Sequence, residues 1–221
     1  RGFRPNASIL ADMLRVGIPA ALMQALTTVM SMGMNLILPL FTSAGVFILG
    51  AYFKLQSFLF MPLYGMNNAI VPIISFNYGA RKKERITGTI RFALALTLGI
   101  MAVGTVVMMT LSGPLLGTFD ADAAVLAEGI PALRMIALSF LCAGVSIILC
   151  SALQALGAAN PSLAISLLRQ VVLLLPAALV LGAIRPVLVW LAFPVAELIS
   201  CAAALLLCRN ILHRKLDGMA S

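Results

Sequence analysis

The chain reads as an all-α integral membrane bundle of six transmembrane helices, and three observations lead there. Of its 221 residues 62% are hydrophobic and only 10% charged, whereas a soluble domain carries about a quarter charged residues. Mean hydropathy is +1.09, and apolar runs recur that are long enough to cross a hydrocarbon core of about 30 Å, which takes about 20 helical residues. The basic residues collect at the ends of these runs and form no stripe across a polar domain. The formal charge of +8 is therefore a matter of topology, and no nucleic-acid partner is expected.

The elements follow in order. The first run, about 14–41, contains Pro19 and Pro39. After a break at Gly45 the second run, 46–76, carries Pro62 and Pro72 and ends in a basic loop with Arg81, Lys82, Lys83 and Arg85. Prolines at these places are suited to kinking a helix and supporting its bending. The third run, 89–116, has Gly113-Pro114 as the break expected near its end, and the fourth spans 135–155. Gly157 then breaks the chain, and Asn160-Pro161 reads as the N-cap and first residue of the fifth run, 161–183. Arg185-Pro186 separates that run from the sixth, 187–208. Residues 1–221 form one transmembrane lobe on this reading. The sequence opens at Arg1, without an initiator Met or the tripartite pattern of a signal peptide, and reads as a piece of a longer chain.

Orientation follows from where Lys and Arg fall. One side carries Arg1, Arg4, Arg15, the loop cations Arg81 to Arg85, Arg91, Arg209, Arg214 and Lys215; the other carries only Arg134 and Arg185. The positive-inside rule makes both ends of the segment cytoplasmic in a plasma (inner) membrane. Asp120, Asp122 and Glu128 then lie outside, ahead of the fourth span. Arg134 and Trp190 read as interfacial anchors.

Polar residues inside lipid are costly, so their arrangement carries information. On the first span Gly17, Gln24, Thr28, Ser31, Asn35 and Thr42 recur at spacings of seven, four, three, four and seven. On the second, Gly50, Lys54, Ser57, Tyr64, Asn68 and Ser75 recur at four, three, seven, four and seven. At about 100° per residue each set occupies one helix face. Two readings fit: hydrogen-bonding glue between helices, or the walls of a shared water-accessible cavity lined by Gln24, Asn35, Lys54, Tyr64 and Asn68.

Three ionisable residues sit deep in apolar runs. At about 1.5 Å per residue, Lys54 lies about 12 Å and Glu197 about 15 Å below the outer end of its span, and Arg169 enters about 12 Å from the other side. Glu197 can therefore meet either cation, Lys54 or Arg169. The pair is either structural, because an unpaired charge at this depth costs several kcal/mol, or Glu197 binds a proton, a sodium ion or a cationic substrate with the cation tuning it. Cys142, Cys150, Cys201 and Cys208 all fall inside apolar runs without a C-x-x-C pair, which makes them packing residues and no metal or disulfide set. No nucleophile elbow, zinc-binding helix motif or phosphate loop is present, so catalysis and a resident cofactor are not expected.

Several stretches together resemble the multidrug and toxic compound extrusion (MATE) family of secondary transporters. They are Val16-Gly17-Ile18-Pro19-Ala20, Asn77-Tyr78-Gly79-Ala80-Arg81, Phe119-Asp120, Ala155-Leu156-Gly157, Ser166-Leu167-Leu168-Arg169-Gln170 followed by Leu175-Pro176, and Pro194-Val195-Ala196-Glu197. Their order and spacing cover nearly the whole chain. The resemblance implies twelve helices in two six-helix lobes around a central cavity, this chain being the C-terminal lobe and an N-terminal lobe its missing partner. It further implies exchange of an incoming proton or sodium ion for a lipophilic cationic drug by alternating access. Some family members carry coupling acids in the first and fourth helices of this lobe, but this sequence has none within the core of either span. That leaves Glu197, or acids of the other lobe, for coupling. Two rivals are a lipid-linked oligosaccharide flippase, whose anionic cargo would suit Lys54 and Arg169, and a non-transporting membrane scaffold.

Overall fold

The computed structural model describes residues 7–217. Among the described residues eight α-helices follow one another: α1 Ala7–Ile37, α2 Gly45–Gly79, α3 Lys83–Gly117, α4 Ala123–Ala137, α5 Phe140–Ala155, α6 Ala159–Leu167, α7 Leu174–Ile184 and α8 Ala192–Asp217. They make six spans. α4 and α5 form one span bent by 45°, α6 and α7 are joined into one of 26 residues, and α8 is preceded by a 3₁₀ segment, Pro186–Leu191. Arg1 and Arg4 of the charge count lie outside the described residues, as do the side chains of Asp12 and Arg15.

Local chemistry sets most boundaries. α1 ends at Ile37 and tightens into a 3₁₀ turn, Leu38–Leu40, because Pro39 disfavours α geometry at the residue before it. The chain then turns so sharply that a Cβ on Gly45 would sit 2.7 Å from the Thr42 methyl and 2.9 Å from Leu38 Cβ, which only glycine avoids. α5 closes with Gly157 at φ +72, its N–H donating to Gln154 O and that of Ala158 to Leu153 O, the Schellman arrangement. α2 closes in the same way with Arg81 at φ 55 in the left-handed position, the Arg81 and Lys82 N–H groups donating to Tyr78 O and Asn77 O.

Several sequence-based boundaries are corrected. The third span ends at Gly117, one residue past the expected 116, but Gly113-Pro114 is not its break: α3 runs through both, and it begins at Lys83, six residues before the expected 89. The fourth span starts at Ala123, twelve residues before the expected 135, because Asp122 is an N-cap whose carboxylate accepts from Val125 N–H at 2.8 Å. Glu128 therefore lies on α4, half-buried, accepting the Thr42 hydroxyl, and is no loop residue. Asn160 is not a cap; α6 begins at Ala159, and Asn160 and Pro161 lie in its first turn, where proline's missing N–H has no helical partner to lose. Trp190 is no lipid anchor either, being 2% exposed within the 3₁₀ segment before α8.

α5 is the central helix, packing on α2, α3, α6 and α8, while α1 lies against α6 and α7. The α2–α5 contact is aromatic, with Phe60 edge-on to Phe140 at 5.2 Å between centroids and both fully buried. The opposite faces are apolar and open, with Leu36 and Phe76 each 76% exposed, as helices bathed in lipid require. At one end of the bundle, Lys215 near the end of α8 donates to the C-cap carbonyl of α5, Leu156 O, and stands over the Tyr78 ring of α2. A cation there complements the negative end of α5. All four cysteines are free, with Cys150, Cys201 and Cys208 buried.

Candidate functional site

The site forms where the polar faces of α1 and α2 meet α5, α8 and the link between α6 and α7. That link, Leu168–Leu173, is a π-helical turn and carries Arg169 and Gln170. A π turn accommodates one residue more than an α turn, rotating the helix beyond it and opening the backbone ladder, and such turns recur at functional sites. Here it holds Arg169 on one side of the cavity wall, facing Glu197 of α8. Arg169 Nη1 lies 3.3 Å from Glu197 Oε1, with side-chain exposures of 20% and 15%. Glu197 Oε2 and Gln170 Oε1 are buried without a hydrogen-bond partner among the described residues.

Two cavities adjoin this pair, of about 450 and 500 Å³. Thr27, Tyr64, Ile147, Arg169 and Gln170 line both. The first adds Tyr52, Phe53, Phe60 and Phe193 to Glu197, Gln56 and Ser57. Tyr52 and Phe193 meet edge-on at 5.6 Å, so this wall is largely aromatic. The second is rich in neutral polar groups, among them Gln24, Asn67, Asn68, Ser146, Ser151 and Gln154.

Of the residues singled out in the sequence, Gln24 and Asn68 line the second cavity and Tyr64 lines both. Asn35 and Lys54 line neither. Asn35 is exposed in the last turn of α1, next to the 3₁₀ segment. Lys54 carries its ammonium to the Phe119 ring, 5.6 Å from the centroid. Long cationic side chains stretch towards an interface, and an aromatic face receives the charge there. Lys54 is therefore not the partner of Glu197; Arg169 is.

Sequence reasoning misses Gln170, Asn67, Gln154 and Tyr52. Two have a signal, since Gln170 adjoins Arg169 and Asn67 adjoins Asn68 in the sequence. Gln154 and Tyr52 reach the cavity only through the tertiary packing.

A model for the family described as MatE matches residues 19–180. The multidrug export protein MepA of Staphylococcus saprophyticus is 29% identical over 206 residues, covering 92% of this chain and 45% of that protein. MepA of Staphylococcus aureus is 25% identical over 207 residues, with the same shares. This chain spans about half the length of the curated relatives it matches. Among solved structures, an outward-facing multidrug resistance MATE family transporter of the MOP superfamily aligns with TM-score 0.91 at 19% identity, over 97% of this chain and 49% of that one. The Vibrio cholerae MATE transporter VcmN in its bent form aligns with TM-score 0.89 at 23% identity, over 95% and 48%. At these identities the structures speak for the fold, while the family match rests on the sequence.

Proposed function

Since the chain belongs to the MATE family, we propose that it forms the C-terminal six-helix lobe of a proton- or sodium-coupled antiporter that exports lipophilic cationic drugs. The observation that carries this reading is the half-satisfied Glu197: one oxygen is held by Arg169, the other is buried, unpartnered among the described residues and part of a cavity wall. A buried carboxylate oxygen without a donor is an expensive arrangement unless something else fills the role. A proton, a sodium ion or the cationic end of a drug each fits that description, and their competition for one carboxylate is what exchange requires. Tyr52, Phe53 and Phe193 supply apolar and aromatic surface for the rest of a lipophilic cation.

In this arrangement Arg169 pairs with Glu197 while the site is empty, and uptake of a proton by Glu197 releases the guanidinium. The second wall of the cavity belongs to an N-terminal lobe, with both ends of the present segment and the Arg81–Arg85 loop on the cytoplasmic side.

The intact transporter in inside-out vesicles with an imposed proton or sodium gradient provides the test. A lipophilic cation should collapse one of the two gradients and leave the other standing, which identifies the ion. With insertion verified, a panel of such cations that collapses neither would sink the reading.

A further inference from the structure

Two basic stretches far apart in the sequence meet at one end of the bundle. The link from α2 to α3 carries Arg81, Lys82, Lys83 and Arg85, and the last turns of α8 carry Arg209, Arg214 and Lys215. Lys215 brings the two together: it donates to Leu156 O at 2.5 Å and stands 5.5 Å from the ring centroid of Tyr78, three residues before Arg81. Its charge is taken up inside the bundle, while Arg81, Lys82, Arg85, Arg209 and Arg214 are all exposed. Glu84 and Asp217 are the only acids of the sequence within 81–85 and 209–217. Like charges held side by side repel, so an anion between them stabilises this end of the fold. Arg81 adds a second indication. Its φ of 55 is a left-handed conformation that glycine adopts freely and a side chain resists. The turn itself has no use for the guanidinium, which therefore answers to something outside it.

The surface beside these cations is apolar and open. Phe92, 69% exposed, follows Arg91 on α3, and Leu206, 65% exposed, lies one turn before Arg209 on α8. Among the described residues none of α3 lines either cavity, so its open face is no part of the transport site. A soluble anion would meet the charges alone, whereas a phospholipid meets the charges with its phosphate and the apolar faces with its acyl chains. We propose that this basic end binds the phosphate of an anionic phospholipid, shared between the α2–α3 link and the end of α8, with the acyl chains lying along α3 and α8. Clusters of about four to eight Lys and Arg at the end of a span have this affinity for anionic headgroups, and Arg offers a phosphate two parallel hydrogen bonds. The bound lipid ties the second and third spans to the sixth at the membrane surface, whatever the cavity carries. With the orientation proposed above, that surface is the cytoplasmic one.

The test places a reporter beside the site, Phe92→Trp in the intact transporter, and subtracts the emission of the unsubstituted protein. Quenching across mixtures of brominated phosphatidylglycerol and brominated phosphatidylcholine gives the relative binding constant of the two lipids there. It should favour phosphatidylglycerol by at least about tenfold at low salt and fall as salt is added. The triple variant Arg81→Gly/Arg209→Gln/Arg214→Gln should remove the preference, at roughly fivefold for each charge lost, with glycine preserving the turn at position 81. Arg134→Gln/Arg185→Gln, which takes two charges from the opposite end of the bundle, should leave it unchanged. Equal quenching by both lipids before any charge is removed, a preference that survives the triple variant, or an equal loss in the two sets of variants overturns the site. A preference abolished by millimolar inorganic pyrophosphate at constant ionic strength gives the patch to a soluble anion and overturns the lipid. Drug-driven collapse of an ion gradient is read separately, so failure of this site and failure of the transport reading are told apart.

Discussion

Glu197 gives one carboxylate oxygen to Arg169 Nη1 at 3.3 Å and keeps the other buried without a partner among the described residues. The two residues approach from different spans, α8 and the π turn between α6 and α7, so the contact joins the last two membrane crossings as well as forming a wall of the cavity. A purely structural pair would be expected to satisfy both oxygens. The open one argues for an exchangeable occupant.

Replacing that carboxylate should therefore separate function from assembly. Glu197→Gln should reduce drug-driven collapse of the ion gradient by at least about tenfold, while the amount of inserted protein stays near wild type. Vesicle fluorescence quenching read against an immunoblot of the same vesicles measures both. Normal collapse in the variant would move coupling to another group, with the acids of the other lobe next in line.

How far this arrangement is legible in the sequence depends on the kind of signal. The six spans are readable because hydropathy over about 20 residues is insensitive to where a helix ends. The ends are not, since they rest on single backbone events. Pro114 looks like a stop and is carried inside α3, while Asp122 has the residue type of an N-cap but reads as a loop acid until its bond to Val125 is seen. Seven- and four-residue spacing places Gln24, Tyr64 and Asn68 on cavity-facing sides. The same spacing places Asn35 and Lys54 on those faces too, but a face runs the length of a helix and a cavity occupies only part of it. Depth matching offers Glu197 two cations; the choice of Arg169 is fixed by the reach of Lys54 to Phe119 and by the π turn, neither of which has a sequence pattern of its own.

Arg81 gives a prediction about that backbone level. It takes the left-handed position of a Schellman close that glycine takes in Gly157, and a side chain there costs about 1 kcal/mol. Arg81→Gly should raise the stability of the purified protein by about 0.5 kcal/mol once the greater freedom of glycine in the unfolded chain is subtracted. Arg81→Val should lower it by more than that. Thermal unfolding midpoints in detergent decide the order, and Arg81→Gly falling below wild type would refute it.

Helix contact makes a sharper contrast. A Cβ on Gly144 would lie 2.7 Å from both Met101 Cγ and Thr97 Cγ2, on two residues of α3 that are fully buried, whereas a Cβ on Gly65 would meet nothing within 4 Å. Gly144→Ala should cost about 1–3 kcal/mol by overpacking the α3–α5 seam. Gly65→Ala should be neutral or gain up to about 1 kcal/mol from helix propensity. Equal midpoints for the two variants would mean that the α3–α5 seam yields to an added methyl, against the close approach at Gly144.

Whether the polar faces of α1 and α2 enclose water or merely hold helices together is decided by access. Asn68 lines the second cavity and is exposed, while Thr97 is fully buried between α3 and α5. The four native cysteines have to be replaced first, since Cys150 lines the same cavity. In that background Asn68→Cys should react with a membrane-impermeant maleimide at least about tenfold faster than Thr97→Cys, thiol reactivity following exposure. A saturating lipophilic cation should slow the first reaction and leave the second alone. The two readings diverge on both counts. Glue between helices would protect Asn68→Cys as fully as Thr97→Cys and make it indifferent to substrate, so rapid labelling that substrate suppresses can arise only from a wet cavity that a substrate fills.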